Sequence, residues 1–429
     1  YFDIYIINNN IKMIPEELYD VVIIGGGISG INTAVKLSKT KKILLLDERE
    51  YWGGRIMTKT KPQYEIGAAR FSNKHKLLNE LIKKYKLNKM ELPQTIDYLH
   101  KKNESIEFIS DINKILDNYF KQLVKNSQSY SHSELKNITL FDFMNMCNDE
   151  EISQQIVNMF GYYSEIKMMN AYDALNSFKK DFVNVQYYTL KEGLSFLCKK
   201  MIDDAKDNGC KCKLKSFVSD VEKKGNNFVI SADSSKYYGN NVIFAIKGGQ
   251  LNTFKILSPI HKHLDCVHNS ELLRIYAKYP IRQDGSWFNN LRRMTTNSFL
   301  RQIIPIDYQD GLIMISYTDG KDTEVFKGKN GKMLKDEKIR DIIQRELNLL
   351  FGGRVPQPTY FKTHYWTVGA HHWKPNCDSD KISSIMINPI NDIYICGEVF
   401  SQKQAWIEGA LETSEIVVKK INKYINKKK

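Results

Sequence analysis

Near the start of the chain, Gly25-Gly26-Gly27-Ile28-Ser29-Gly30 has the spacing GxGxxG, directly after an apolar run and ahead of a helical pattern. Glycines at those positions make a tight turn and let a backbone approach a pyrophosphate. The helix that follows offers unpaired N–H groups and the positive end of its dipole to the phosphate charge. Asp47 ends the second apolar run, at the downstream distance where an acid hydrogen-bonds an adenosine ribose. Glycine-rich turns are common, and GxGxxG alone is weak; with two strands, a helix and the acid in place, dinucleotide binding is the expected chemistry. No cluster of cysteine and histidine has the spacing of metal ligands, so no metal site is expected.

The elements that must position these residues are legible in the pattern. Residues 19 to 47 read as strand, glycine turn, helix and strand. Val21–Ile24 and Ile43–Leu46 are continuous apolar runs, as in a parallel sheet buried on both faces. From Asn73 to about Phe178 the pattern turns helical, with Leu77, Leu78, Leu81, Ile82 and Tyr85 at steps of three and four. A second α/β stretch follows: a helix near Leu194–Ala205, strands about Leu214–Val221 and Asn227–Ala232, and an apolar strand Val242–Ile246. Next come a strand Leu272–Tyr279 and a hairpin of Phe299–Pro305 with Leu312–Tyr317 around Asp310-Gly311. A helix ends at Phe351-Gly352-Gly353, then a strand Ile393–Cys396 and a helix from about Trp406 close the chain. The expected fold class is α/β: a Rossmann-type nucleotide-binding domain interleaved with an α+β domain of mixed sheet plus helices. Its expected division is discontinuous, 15–75, 186–255 and 378–429 for the nucleotide-binding part, 76–185 and 256–377 for the other.

Composition narrows the class. The chain has 429 residues, 42% hydrophobic and 26% charged, an ordinary globular balance. Its longest apolar runs have strand length and fall far short of the ~18 residues of a membrane-spanning helix. The start at Tyr1 lacks the layout of a signal peptide. Seven dispersed cysteines argue against a disulfide framework and for a reducing, cytoplasmic compartment; association with a virion or another particle stays open. The net charge of +14 is spread along the chain and concentrated only in the tail Lys419–Lys429. A solvated basic surface with weak affinity for polyanions is the expectation, without that being the function. Assembly as a homodimer is left open.

Downstream of the second strand, Asp47-Glu48-Arg49-Glu50-Tyr51-Trp52-Gly53-Gly54-Arg55 resembles the segment found there in the flavin-containing amine oxidase superfamily, the monoamine and L-amino-acid oxidase-like flavoproteins. Gly53 and Gly54 would let the chain turn under the cofactor, and Arg55 would pair with the pyrophosphate or brace the loop. Glu65-Ile66-Gly67-Ala68-Ala69-Arg70 resembles the family loop whose small residues pass the flavin ring. Val218-Ser219-Asp220-Val221 resembles the strand whose backbone meets adenine. Tyr238–Ile246 resembles a stretch ending in an Ala-Ile-Pro-like turn, with Lys247 in place of the proline. Gly397-Glu398 and Trp406-Ile407-Glu408-Gly409-Ala410 resemble the C-terminal signature facing the flavin. Taken alone, Glu398 would be a solvated carboxylate and Trp406 a core aromatic. The resemblance runs over about residues 19 to 420 and implies FAD, with Gly25, Gly27, Ile28, Ser29, Gly30, Asp47, Glu48, Gly54, Arg55, Gly67, Ala68, Val218, Gly397, Glu398, Trp406 and Ile407 as its binding residues.

The same resemblance implies four catalytic positions. Family members cage the substrate between two aromatic side chains; Trp406 falls at one position and His371 at the other, unless His371 and His372 are simply half-buried histidines. Arg70 falls where L-amino-acid oxidases hold the substrate carboxylate, a group its planar fork suits; the alternative is an ion pair with a local acid such as Glu65. Arg274 stands where the family carries a lysine, and arginine cannot serve as a base. Lys278, four residues on and on the same side of the strand, would take the place after a register shift. The implied reaction is oxidation of the CH–NH2 group of an L-amino acid or related amine by hydride transfer to flavin N5, with O2 as reoxidant and H2O2 as product. The amine must be neutral; deprotonating a lysine-like ammonium at pH 7 costs about 4–5 kcal/mol, and nearby Arg70 and Arg274 would reduce that cost. Two other readings stand beside it: a desaturase or protoporphyrinogen oxidase-like flavoenzyme, and a catalytically altered FAD-binding protein with a structural or binding role.

Overall fold

The computed structural model describes residues 17–103, 105–181, 185–353 and 355–428, with side chains to residue 423. The end of the basic tail and Tyr1 therefore lie outside the described side chains. Strand β1 (Leu18–Ile24) is lined by Val21, Val22, Ile23 and Ile24, all at most 5% exposed. It runs parallel to β2 (Ile43–Leu46), and helix α1 (Ile28–Leu37) connects them. Side chains buried on both faces explain why these strands read as unbroken apolar runs.

Around them the sheet order is Lys211–Lys213, β2, β1, Ser235–Phe244, Asn227–Ala232, Val218–Lys224, with Ile393–Ile395 also pairing Ser235–Phe244. The strands Lys211–Lys213, β2, β1, Ser235–Phe244 and Ile393–Ile395 are parallel, and the two outer strands form an antiparallel meander. α1 is covered by the helices Leu194–Asp207 and Ile407–Lys428. Gly30 permits its approach to β1: a Cβ there would stand 2.0 Å from the carbonyl oxygen of Gly25.

A second sheet has the order Tyr360–Trp373, Val267–Lys278, Leu312–Asp319, Gln302–Asp307, Met294–Thr296, Asp97–Lys102, Ser105–Ile109. The expected hairpin is present as Gln302–Asp307 with Leu312–Asp319, turning through Gly311 at φ +65°. The expectation of a helical region from Asn73 to Phe178 is corrected in its middle. Asp97–Lys102 and Ser105–Ile109 form strands, and the first pairs in parallel with Met294–Thr296. Tyr98 and Leu99 are buried by that long-range pairing, which periodicity within one segment does not register.

The cysteines give a second correction. Cys266 and Cys377 form a disulfide across a sequence separation of 111, where none was expected. Two half-buried cysteines at the ends of the neighbouring strands Val267–Lys278 and Tyr360–Trp373 meet because Val267 pairs with Trp373. Sequence dispersal hides this adjacency. Among the described residues no helix is long and apolar enough to cross a membrane.

Candidate active site

A cavity of about 820 Å³ runs from the glycine turn at the tip of β1 to the face of the second sheet. Its volume lies in the upper part of the range of ligand sites. Gly25, Gly27, Ile28, Ser29, Asp47, Glu48, Gly54, Arg55, Gly67, Ala68, Val218, Gly397, Glu398, Trp406 and Ile407 all border it, as do Arg70 and Arg274. Gly30 does not; it lies behind the turn, packed on Gly25. His371 does not border it either.

The turn end of the cavity is built for a phosphate-bearing ligand. Gly27 caps α1 without any side-chain cap, so the first-turn N–H groups keep no side-chain acceptor. A Cβ on Gly27 would meet no protein atom within 4 Å, whereas one on Gly26 would strike the ring of Trp52. The open space thus lies on the face where an anion would meet the helix dipole. Asp47 fastens the turn to β2: its Oδ2 accepts from the N–H of Gly26 at 2.6 Å and its Oδ1 from that of Arg49 at 2.8 Å. Burial pushes this carboxyl up, with the two N–H donors opposing. Beside it Glu48 accepts from the Gln250 amide at 3.1 Å, and burial together with Arg49 lowers the Lys247 ammonium.

Glu398 is the hub between the two ends. Its carboxylate accepts from Arg55 Nη1 at 2.6 Å, from the N–H of Ala405 at 2.9 Å, and from His371 Nδ1. Burial alone would raise it, but His371 and Arg55 hold it well below the usual carboxylate range. His371 Nε2 accepts from the N–H of Gly248 at 3.2 Å, which leaves the ring proton on Nδ1, facing Glu398. His371 is fully buried, so its expected place as one wall of a substrate cage is corrected: both ring nitrogens are committed to the protein. The cavity-facing residues of that strand are Trp366 and the neighbours of His371, namely Gly369, Ala370 and His372.

At the other end, the strand Phe71–Ser72 pairs with Tyr187–Leu190 and sets Arg70 among aromatic rings. Its guanidinium lies 4.7 Å from the ring centre of Tyr187 and 5.8 Å from those of Trp406 and Tyr162, and Nη2 donates to the Tyr162 hydroxyl at 3.1 Å. The Tyr187 and Trp406 rings are stacked, 9° from parallel. Glu65 is not its partner: that carboxylate accepts from Thr58 Oγ1 at 2.9 Å and the N–H of Leu194 at 2.7 Å. Arg274 donates from Nη1 to the carbonyls of Glu65, at 3.2 Å, and Gly67, so it clasps the small-residue loop. Lys278 instead pairs with Asp310 at 2.6 Å and does not border the cavity, whereas Arg274 does. Three further residues at this end escaped the sequence: Tyr162, Tyr317 and Arg293, all bordering the cavity. Two lie in segments that read only as helical or strand-rich, and the doublet Arg292-Arg293 carried no motif.

A family model described as flavin containing amine oxidoreductase matches residues 28–422. Among curated proteins, an uncharacterized protein of Acanthamoeba polyphaga mimivirus is 38% identical over 82 residues, 17% of this chain and 16% of that one. An L-amino acid oxidase of Cerastes cerastes is 35% identical over 79 residues, 17% of this chain and 15% of that one. The matched segments are thus a small part of either relative. Among solved structures, wild-type putrescine oxidase bound to putrescine superposes with a TM-score of 0.77 at 14% identity, covering 95% of this chain and 99% of that one. Cyclohexylamine oxidase of Brevibacterium oxydans gives 0.75 at 14% identity, with 95% and 99% coverage. At this identity the likeness is one of fold.

Proposed function

Since the chain belongs to the flavin-containing amine oxidoreductases, with FAD as cofactor, we propose that it oxidises an amine bearing a carboxylate, of the L-amino-acid class, and that Arg70 receives the carboxylate. The observation that carries this reading is the Arg70 guanidinium itself: it borders the cavity, is held by a tyrosine hydroxyl and ring faces, and makes no ion pair among the described residues. Burial acts to lower this cation, while the surrounding tyrosines and Glu165 outweigh it and raise it, so it stays charged. A planar charged fork at a cavity wall suits a carboxylate and repels a simple ammonium.

When bound, FAD would supply the hydride acceptor, with O2 as the oxidant that regenerates it. The chain's own residues bind and orient. Gly27, α1 and Arg55 would face the pyrophosphate, Asp47 or Glu48 the ribose, and the clasp from Arg274 holds the loop Glu65–Arg70 in place at the cavity wall. Trp406 borders the cavity at this end and gives the substrate an apolar wall. The positive charge of Arg70 and Arg274 favours the neutral amine needed for hydride release.

A competing reading, FAD binding without turnover, draws on the commitment of Arg274 to two backbone carbonyls in place of a lysine. An anaerobic absorbance titration separates the two. Bleaching of the flavin bands by L-amino acids, with return and peroxide on admitting air, supports the oxidase; bands that no amine bleaches support the other. In Arg70→Ala the Michaelis constant for an amino acid should rise about 100-fold or more, from loss of a buried charged pair; an unchanged constant removes the carboxylate role.

A further inference from the structure

Arg293 sits one residue before the strand Met294–Thr296, and its Nη2 donates to Gln302 Oε1 at 2.9 Å. Its Nε is a buried donor that finds no acceptor among the described residues, and so is the Nε of Arg274. The adjacent Arg292 shows what a satisfied arginine looks like here: it turns outward and forks onto Asp97, Nε to Oδ2 at 3.0 Å and Nη2 to Oδ1 at 2.7 Å. The fold has thus given an acid to the outward arginine of the doublet and none to the inward one.

Arg70, Arg274 and Arg293 border the same end of the cavity, and none of them makes an ion pair among the described residues. Three of the acids that border the cavity are already engaged. Glu65 is taken by Thr58 and the Leu194 amide, Asp319 by the N–H groups of Tyr163 and Ser164, Glu271 by Lys327 and Thr323. Glu165 at the border offsets part of the Arg70 charge. The remaining company is phenolic: Tyr162, whose ring lies 5.3 Å from Tyr317, itself 4.4 Å below the Arg274 guanidinium. Burial and the neighbouring Arg70 push Arg293 down to about 10, the mark of cations crowded without counter-charge. One carboxylate at Arg70 leaves that crowding only partly relieved.

Building on the amino-acid reading above, we propose that this cavity is a two-anion site, taking an amine with two acidic groups of the dicarboxylic amino-acid class, with Arg293, braced from behind by Gln302, receiving the second carboxylate. Arg274, spent on the loop carbonyls, supplies background field. A diamine or a lysine side chain would set an ammonium against these guanidiniums, and a neutral side chain would leave the Arg293 Nε without an acceptor.

The test uses the FAD-loaded full chain and two readouts. In the first, flavin bleaching is compared for L-glutamate and L-aspartate against L-leucine and L-lysine. The dicarboxylic substrates should half-saturate at concentrations lower by about tenfold or more, and Arg293→Gln should abolish the difference while Arg293→Lys keeps part of it. The second needs no turnover: perturbation of the flavin spectrum by glutarate against butyrate, with glutarate the tighter and the gap closing in Arg293→Gln. If no amine bleaches the flavin yet glutarate shows an Arg293-dependent advantage, the oxidase reading fails and the two-anion site stands. Fast bleaching by L-leucine with no preference for diacids in either readout overturns the site and leaves the oxidase.

Discussion

Three donors converge on Glu398, and each comes from a different part of the chain: Arg55, His371 and the Ala405 amide. Glu398→Gln would leave the Arg55 guanidinium without its counter-charge and give His371 Nδ1 a weaker acceptor, a loss of about 3 kcal/mol or more. Denaturant melts of the apoprotein should register it, and FAD retention should weaken with it. Glu65 offers a pH-dependent test. Burial pushes its carboxyl from 4.5 up to about 7, against its two donors. Between those values the folded chain holds a proton that the unfolded chain has released, so this group makes folding stability fall as pH rises through that window. Glu65→Gln should flatten this part of the stability profile, and an unaltered slope would remove the assignment. At this scale the glycines, Asp47 and the Gly397-Glu398 pair were legible because each sits in a motif with fixed spacing. His371 was misplaced because alternate residues of a strand face opposite ways, and the bulged pairing between Ser270 and Leu272 shifts which side of the facing strand meets the cavity. Arg293 was invisible because an unpaired charge is a statement about neighbours.

Between elements, two glycines of one turn do different work, and alanine distinguishes them. Gly30→Ala would put a methyl 2.0 Å from the Gly25 carbonyl and force α1 off β1, at a cost of about 1–3 kcal/mol. Gly27→Ala meets nothing in the protein, so it should melt like the parent chain while losing FAD affinity. Thermal melts with and without added FAD check both; equal losses of stability from the two changes would contradict the packing. The β1–α1–β2 unit was fully legible because its signals are local. The strands Asp97–Lys102 and Ser105–Ile109 were not, because what makes them strands is a partner nearly two hundred residues away in Met294–Thr296.

At the scale of the whole molecule, the Cys266–Cys377 bridge closes a loop of 111 residues that includes most of the second sheet. Chain-entropy arguments assign such a loop about 5 kcal/mol of stability. Reduction, or the double change Cys266→Ser with Cys377→Ser, should lower the thermal midpoint while the flavin spectrum of the folded protein is kept. A midpoint indifferent to reductant would mean the bridge does not form in solution. Both sheets draw strands from distant parts of the chain. The sheet that carries the glycine turn takes its strand Ile393–Ile395, and the cover of α1 by Ile407–Lys428, from the last stretch of sequence. A ribosome therefore delivers β1 and its turn first and the pieces that seal them last. The strand β1 gains its two neighbours, β2 and Ser235–Phe244, well before the chain reaches the strand Ile393–Ile395 and the helix that covers α1, so the sheet stays incompletely covered until that late segment arrives. The cavity wall itself is incomplete until this late segment is made, because Gly397, Glu398, Trp406 and Ile407 all border it.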